Sequence, residues 1–308
     1  MWNRYFQELD FGAITPHLEL TLFAAGILVF SFWLPRNYRF FYPLAALLGV
    51  LFSGTAILQM ALKRTQMVAF NGLLMVDSFF LFFSTVFLLA TALVILMSFK
   101  YLDVEEEHEG EYYSLILFAT VGMMFLAGAI DLITLFIGLE LMAISFYLLT
   151  GFLRRDRRSN EAALKYLLLG VFSTGLLAYG FSLLYGISGS TRLETISSAV
   201  AQRGLADPLV FLATVTIAAG VFFKVAAVPF HQWAPDAYEG APTPITAYIS
   251  VGSKAASFAL LLRLFLVAIG PAREQWVALL SVVAVATMTI GNLAAINQSN
   301  IKRLLAYS

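Results

Sequence analysis

Residues 222–263 read FFKVAAVPFHQWAPDAYEGAPTPITAYISVGSKAASFALLLR, and they place two lysines, Lys224 and Lys254, inside apolar sequence. The prolines between these lysines are Pro229, Pro235, Pro242 and Pro244. A lysine at the centre of a bilayer costs about 2.5–3.5 kcal/mol on insertion scales, so it is seldom there without a role. Backbone interrupted by proline is tolerated at membrane depth only where protein or water covers it. The segment therefore predicts a buried, hydrated site that handles protons in a membrane protein.

The composition of the whole chain also indicates a membrane protein. Of its 308 residues, 60% are apolar and 12% are charged, whereas soluble domains average about 25% charged. The formal net charge is zero, which argues against nucleic acid as a partner. The sequence has no cysteine, and its three histidines are far apart, so we expect no iron–sulfur cluster, metal site or other cofactor in this chain.

Apolar runs long enough to cross a bilayer predict an all-α polytopic fold. A transmembrane helix needs about 20 apolar residues. The predicted spans are His17–Leu34, Phe40–Leu62, Val68–Phe99, Tyr112–Ala129, Asp131–Gly151, Ala162–Gly186, Pro208–Trp233, Thr246–Ile269 and Trp276–Ile296. A tenth helix is predicted to begin near Asn300. Because residues 301–308 (IKRLLAYS) contain no signal that ends a helix, we expect the sequence to be truncated at its C-terminus.

The basic loop at residues 151–165 (GFLRRDRRSNEAALK) predicts the orientation. If this loop is cytoplasmic, alternation of the spans puts more lysines and arginines on the cytoplasmic side than on the other, as the positive-inside rule requires. The N-terminus is then predicted to lie on the outer side of the membrane.

Glu140 is predicted to lie deep in the membrane. It is nine residues into the fifth predicted span, about 13 Å from its start. A carboxylate at that depth must be neutral, paired or hydrated. Two interpretations remain: a packing carboxyl bonded to a hydroxyl such as Ser145 or Thr150, or an ionic partner of Lys224.

Lys224 has no short route to water, because two phenylalanines precede it and Val225 to Val228 follow it. Pro229 is predicted to free the carbonyl of Val225, directly beside this lysine. Desolvation favours the neutral amine and a nearby carboxylate favours the ammonium, so a moving counter-ion would make Lys224 gain and lose a proton. The alternative is a static ion pair.

Lys254 lies among small residues in the eighth predicted span. Ser250 and Ser257 are four residues before and three after it, so all three are predicted to share one helix face that relays protons. Arg263, nine residues further on, is too basic to release a proton and is predicted to be a structural cation.

Of the other ionisable residues, one has two interpretations and the rest are predicted to lie at the surface or at the membrane interface. His231 lies beside the break and is either a proton shuttle or a hydrogen-bonded structural histidine. Lys165 follows Glu161 by four residues, which is the spacing of a surface ion pair. The residues predicted to be interfacial because they lie near span ends are His17, Glu19, Asp77 and Asp131.

Residues 223–263, together with LFIGLELMAISFYLL at 135–149 and NQSNIKRLLAYS at 297–308, resemble the antiporter-like membrane subunits of respiratory complex I. The resemblance extends over nearly the whole chain. It is strongest to the branch that includes subunit N of bacterial NADH:quinone oxidoreductase and mitochondrial chain 2. It implies inverted five-helix repeats, each with a discontinuous helix. Residues 1–111 would hold three N-terminal helices, residues 112–270 the first repeat with its broken helix at Pro229, and residues 271–308 an incomplete second repeat.

The same resemblance implies roles for residues and partners. Glu140 and Lys224 would form a tunable pair, Lys254 the central relay, and Lys165 and His231 the proton input. The NADH, FMN, iron–sulfur clusters and quinone would belong to partner subunits, and this chain would contact neighbouring membrane-arm subunits and lipid. Three alternatives remain: a multi-subunit Na⁺/H⁺ antiporter, the membrane arm of an energy-converting hydrogenase or of a dehydrogenase with another donor, and a scaffold that moves no protons.

Overall fold

The computed structural model describes residues 10–33, 40–105, 109–204 and 207–308, and these are mostly helical. Its helices are α1 (Phe11–Ser31), α2 (Phe41–Leu62), α3 (Ser78–Glu105), α4 (Glu109–Gly128), α5 (Leu132–Thr150), α6 (Arg157–Ser188), α7 (Leu193–Arg203), α8 (Pro208–Val225), α9 (Trp233–Gly240), α10 (Thr243–Ala268), α11 (Arg273–Ile296) and α12 (Ile301–Tyr307). Strands β1 (Met67–Ala69) and β2 (Leu74–Val76) form an antiparallel hairpin.

The predicted all-α membrane fold is confirmed. In the part of the chain that the structure describes, nine helices are long and apolar enough to cross a membrane, and each corresponds to one predicted span. Helix α1 begins at Phe11 and contains Pro16, so it starts six residues before the predicted His17. The predicted end of that span, Leu34, and the N-terminal residues 1–9 lie outside the described residues.

The predicted third span is wrong at its start, because residues 67–76 form the hairpin and the helix begins only at Ser78. Asn71 and Gly72 both have positive φ, at 54° and 88°. Phe70 also has positive φ, at 50°, and the Asn–Gly pair lies in the loop 70–73 that joins the two antiparallel strands. The Asn–Gly dipeptide was the sequence signal for the hairpin, but the apolar residues on either side of it made the segment look like part of a transmembrane helix.

The predicted seventh and eighth spans are divided differently from the prediction. Helix α8 ends at Val225, where Ala226 takes a left-handed conformation with φ 59°, and the short helix α9 begins at Trp233. Helix α10 combines α-helix at Thr243–Tyr248 and Lys254–Leu262 with π-helix at Ile249–Ser253 and Arg263–Ala268. The chain therefore breaks four residues before Pro229, which follows a cis peptide bond.

Helix α4 is the centre of the bundle and packs against α1, α3, α5 and α10. Gly122 on α4 faces Gly138 on α5. A Cβ on Gly122 would lie 2.6 Å from the backbone nitrogen of Met142 and 2.7 Å from the carbonyl oxygen of Gly138. Small residues let transmembrane helices approach this closely, and the contact fixes the position of α5, which carries Glu140.

Replacing Gly122 by alanine is therefore expected to destabilise the bundle. Overpacking of a close contact costs about 1–3 kcal/mol, and here the methyl group would meet backbone atoms that cannot move aside. The thermal inactivation temperature of the assembled complex measures this effect. Gly175→Ala is the matched control, because no atom lies within 4 Å of a Cβ at that helical position. Equal inactivation temperatures for the two variants would contradict the close contact.

Candidate functional site

The broken end of helix α8 exposes backbone carbonyls inside the protein. The carbonyl of Phe223 accepts hydrogen bonds from the nitrogen of Ala226 (3.0 Å) and from Nε1 of Trp233 (2.8 Å). The carbonyl of Lys224 accepts one from Nζ of Lys254 (3.1 Å). The left-handed Ala226 ends the helix before Pro229, so the carbonyls of Phe223 and Lys224 bond outside the regular helix, and the free carbonyl at Val225 stays a prediction.

Lys224 is buried, with 5% of its surface exposed. Its Nζ donates to the hydroxyl of Tyr147 at 3.5 Å and lies 5.9 Å from the ring centres of Tyr147 and Phe223. Glu140 is near enough to act on this ammonium electrostatically. No direct ion pair joins them among the described residues. Tyr147, two turns further along α5, is the hydrogen-bond partner of Lys224, and the tunable pair of Glu140 and Lys224 stays a prediction.

Glu140 is half-buried on α5, between the exposed Ile137 and Ile144. Its Oε1 atom is inaccessible to solvent and has no hydrogen-bond partner. The two hydroxyls considered as its partners bond elsewhere: Ser145 donates to the carbonyl of Leu141 and Thr150 to that of Phe146. The interpretation of Glu140 as a packing carboxyl bonded to either hydroxyl is therefore wrong.

Lys254 joins the two broken elements. Besides its bond to Lys224, its Nζ lies 4.3 Å from the ring centre of Trp233. Ser257 is buried and Ser250 is exposed, and both hydroxyls donate to carbonyls of their own helix. Ser250 lies in the π-helical turn at 249–253, and the predicted face of Ser250, Lys254 and Ser257 that relays protons stays a prediction.

Lys165 lies in a group of charged side chains outside the buried pair. Its Nζ is 2.8 Å from Oε1 of Glu161, as predicted, and 3.0 Å from Oδ2 of Asp236 on α9. Arg303 on α12 bonds Asp236 at 2.7 Å and Glu239 at 2.8 Å. We call these five residues the charged network, and they border a cleft of about 270 Å³.

The network affects the charge of Asp236, which lies outside the nine long helices. Burial opposes its ionisation, but hydrogen bonds from Lys165 and Arg303 outweigh burial and hold the pKa of Asp236 below its ordinary value. Asp236 therefore remains a carboxylate at neutral pH. Arg303 carries the complementary charge, and the pair connects α9 to α12.

His231 does not belong to this network. Its ring centre lies 6.1 Å from that of Tyr307, edge to face, and its Nδ1 atom is buried without a hydrogen-bond partner. One interpretation of His231 was a hydrogen-bonded structural histidine, and among the described residues its Nδ1 has no such partner. A role in proton input stays a prediction for His231 and for Lys165.

The residues predicted to be interfacial have different positions. His17 is 1% exposed and stacks on Phe80 and Phe125, because α1 begins earlier than predicted. Asp131 is 1% exposed and caps the N-terminus of α5. Glu19 is half-buried.

Arg263 has the partners of a structural cation. Its Nη2 donates to Asp77 at 2.8 Å and to the carbonyl of Ala127 at 2.9 Å, and its guanidinium lies over the ring of Phe79. The side chains of Arg263 and Asp77 are 8% and 17% exposed. This partly buried pair holds the start of α3 to the end of α10.

The sequence-based reasoning missed Tyr147, Trp233, Asp236 and Arg303 as parts of the site. For Tyr147 a signal existed, since it lies seven residues after Glu140 and therefore on the same helix face. For Asp236 and Arg303 none existed, because they are 67 residues apart and meet only in the folded protein.

Comparison with known proteins agrees with this architecture. A family described as NADH:quinone oxidoreductase/Mrp antiporter, TM, matches residues 129–308. The chain is 54% identical to NADH-quinone oxidoreductase subunit N 2 of Solibacter usitatus, covering 100% of this chain and 64% of that relative. It is 50% identical to subunit N 1 of Koribacter versatilis, covering 97% of this chain and 61% of that relative. The chain thus spans less than two thirds of the length of these curated relatives.

A solved structure has the same fold. A chain of respiratory complex I from Thermus thermophilus matches with a TM-score of 0.77 and 32% identity, covering 95% of this chain and 61% of that one. The family match includes α5, α8 and α10, the helices that carry Glu140, Lys224 and Lys254. The chain therefore belongs to the family of transmembrane subunits shared by NADH:quinone oxidoreductases and Mrp antiporters.

Proposed function

We propose that this chain is part of a proton-translocating membrane-arm subunit of a complex I-like NADH:quinone oxidoreductase. In this proposal it moves H⁺ through Glu140, Lys224 and Lys254 while the quinone is reduced in another subunit. The observation that carries the proposal is the contact between Lys254 Nζ and the carbonyl of Lys224, which joins a half-buried lysine to a buried one at the broken end of a helix. The relatives named as NADH-quinone oxidoreductase subunit N support the choice of complex.

The two lysines favour transfer of one proton between them. Lys224 acts electrostatically on Lys254, and two ammonium groups that interact in a medium of low polarity repel each other, so they hold a single additional proton more easily than two. The carboxylate of Glu140 attracts a proton toward Lys224. When Glu140 is neutralised or moves away, the ammonium of Lys224 loses that stabilisation and its proton passes to Lys254. Proton transfer is thus driven by a shift in population between the state in which Glu140 stabilises the ammonium of Lys224 and the state in which it does not.

The remaining assignments follow from this function. NADH, FMN, iron–sulfur clusters and quinone would be bound by partner subunits, and neighbouring membrane-arm subunits would contact this one. We infer that residues 112–270 form the first five-helix repeat, after the helices of residues 1–111 and before the part of a second repeat at 271–308. The protein would lie in the bacterial inner membrane with its N-terminus in the periplasm, and Lys165 and His231 would lie on the input side.

Glu140→Gln tests this function in the complete complex. Removing the negative charge leaves Lys224 without its attraction, so we expect NADH-driven proton translocation into inverted membrane vesicles to fall about tenfold, equivalent to about 1.4 kcal/mol in a barrier. Acidification is followed with a pH-sensitive dye and NADH oxidation by absorbance. Glu19→Gln is the matched control, because Glu19 is also half-buried with an unpartnered oxygen but lies on α1.

Two results would contradict the proposal. Normal proton translocation in the Glu140→Gln complex would leave its carboxylate without a part in transfer. A strict requirement for Na⁺, with no acidification when Na⁺ is absent, would favour an Na⁺/H⁺ antiporter instead.

A further inference from the structure

Trp233, the first residue of α9, contacts Lys254 and the backbone of Phe223, the residue before Lys224. Its Nε1 donates to the carbonyl of Phe223 (2.8 Å), and the Nζ of Lys254 lies over its ring at 4.3 Å. Its ring is parallel to that of Tyr166, with the ring centres 4.3 Å apart and an interplanar angle of 2°. Only 2% of Trp233 is exposed. The hydrogen bond and the stacked tyrosine therefore fix the position of the indole, and the Nζ of Lys254 packs against its face.

This contact distinguishes the two protonation states of Lys254. The ring quadrupole of tryptophan attracts an ammonium strongly and a neutral amine hardly at all, and the attraction grows when water is excluded. The hydrogen bond from Nζ to the carbonyl of Lys224 is also stronger for the ammonium, but a neutral amine keeps N–H groups that can still donate to it. The aromatic face is thus a partner of Lys254 that acts only while the lysine holds a proton.

We propose that Trp233 is a positioning residue for proton transfer, whose indole face binds the ammonium form of Lys254 and lets go of the neutral amine. The inference rests on the proposed function, in which Lys254 receives a proton from Lys224. Trp233 and Lys254 bond the carbonyls of two successive residues, Phe223 and Lys224. A movement of the broken end of α8 would therefore shift the indole and the ammonium together.

A purely structural tryptophan is the competing explanation, and the chain offers a matched control for it. Trp276 is also buried, at 7% exposure, and its Nε1 donates to the carbonyl of Ile269 at 3.1 Å. It packs edge to face on Phe265. Trp233 and Trp276 therefore share an aromatic contact and a bond to a backbone carbonyl, but the ammonium contact is present only at Trp233 among these two residues.

The experiment varies the ring without changing its shape. Tryptophans with one to four fluorine atoms are placed at residue 233 of the complete complex by stop-codon suppression, and the same series is placed at residue 276. Fluorine withdraws electrons from the ring face and weakens cation–π attraction stepwise, while the side chain keeps its shape and its N–H. We expect proton translocation to fall stepwise at residue 233, by about threefold to tenfold in total, and to stay constant at residue 276.

Substitution by ordinary residues extends the series. Trp233→Phe keeps an aromatic face and loses the N–H, whereas Trp233→Leu loses both, so the phenylalanine variant is expected to translocate protons faster than the leucine variant. A flat response to fluorination at residue 233 would overturn the inference, whatever the leucine variant does. Normal translocation in a Lys254→Ala complex would instead overturn the proposed function, and that result is read independently of the fluorinated series.

Discussion

Replacing Lys224 by alanine is expected to reduce proton translocation by the complete complex by at least about tenfold, since positioned proton-transfer groups contribute about 10²–10⁴-fold to a rate. The variant removes a buried ammonium and leaves the hydroxyl of Tyr147 without that donor. Glu140 then acts on no cation at this position, and Lys254 has no source of protons within the site. NADH oxidation should slow together with translocation if the two processes are tightly coupled.

Assembly should survive this substitution, because truncating a buried lysine removes an expensive charge from an apolar site. Native gel electrophoresis of solubilised membranes checks the amount of assembled complex. Lys63→Ala, at an exposed lysine beyond α2, is the control and should leave both rates unchanged. Normal acidification by an assembled Lys224→Ala complex would remove Lys224 from the path.

The most predictable parts of this protein were the spans and the buried lysines. Both depend on local composition: a long apolar run must cross the bilayer, and a lysine within it must find partners. The burial of Lys224 and the partnering of Lys254 by a freed carbonyl agree with that reasoning. The sequence did not predict where the helix ends, because Ala226 takes a left-handed conformation before Pro229 is reached.

The unpredictable parts depend on which residues meet across the fold. The ion pair between Asp236 and Arg303, and that between Asp77 and Arg263, join residues far apart in the chain. The π-helical turn before Lys254 corresponds to no recognisable pattern in the sequence. Tyr147 and Trp233 looked like ordinary aromatic core residues until Lys224 and Lys254 were placed against their rings.

The charged network connects the site to the last helix of the described chain. Arg303 on α12 binds Asp236 and Glu239 on α9, and α9 begins with the tryptophan that contacts Lys254. A displacement of α12 would therefore act on the short helix directly. This connection gives a physical route by which movement outside the site would change the charge partners of Lys254.

Replacing Lys254 by arginine should separate charge from proton transfer. Arginine keeps a cation, and its guanidinium can bond the carbonyl of Lys224 and stack on Trp233. Its proton, however, is not released at physiological pH. If Lys254 carries the proton, both Lys254→Arg and Lys254→Ala should reduce translocation by about tenfold or more, although the arginine variant preserves the electrostatics of the site. Dye-monitored acidification of vesicles measures both variants.

Lys302→Arg is the matched control for the arginine substitution. Lys302 also donates its Nζ to a backbone carbonyl, that of Ala241 at 2.9 Å, and it is also partly buried, but it lies on α12 outside the proposed path. Arginine at this position should therefore leave proton translocation close to normal. If Lys254→Arg translocated protons as fast as the unaltered complex, the site would need only a fixed positive charge beside Trp233, and transfer would have to bypass Lys254. A rate that falls at residue 254 and not at residue 302 shows that the site needs a cation able to give up its proton.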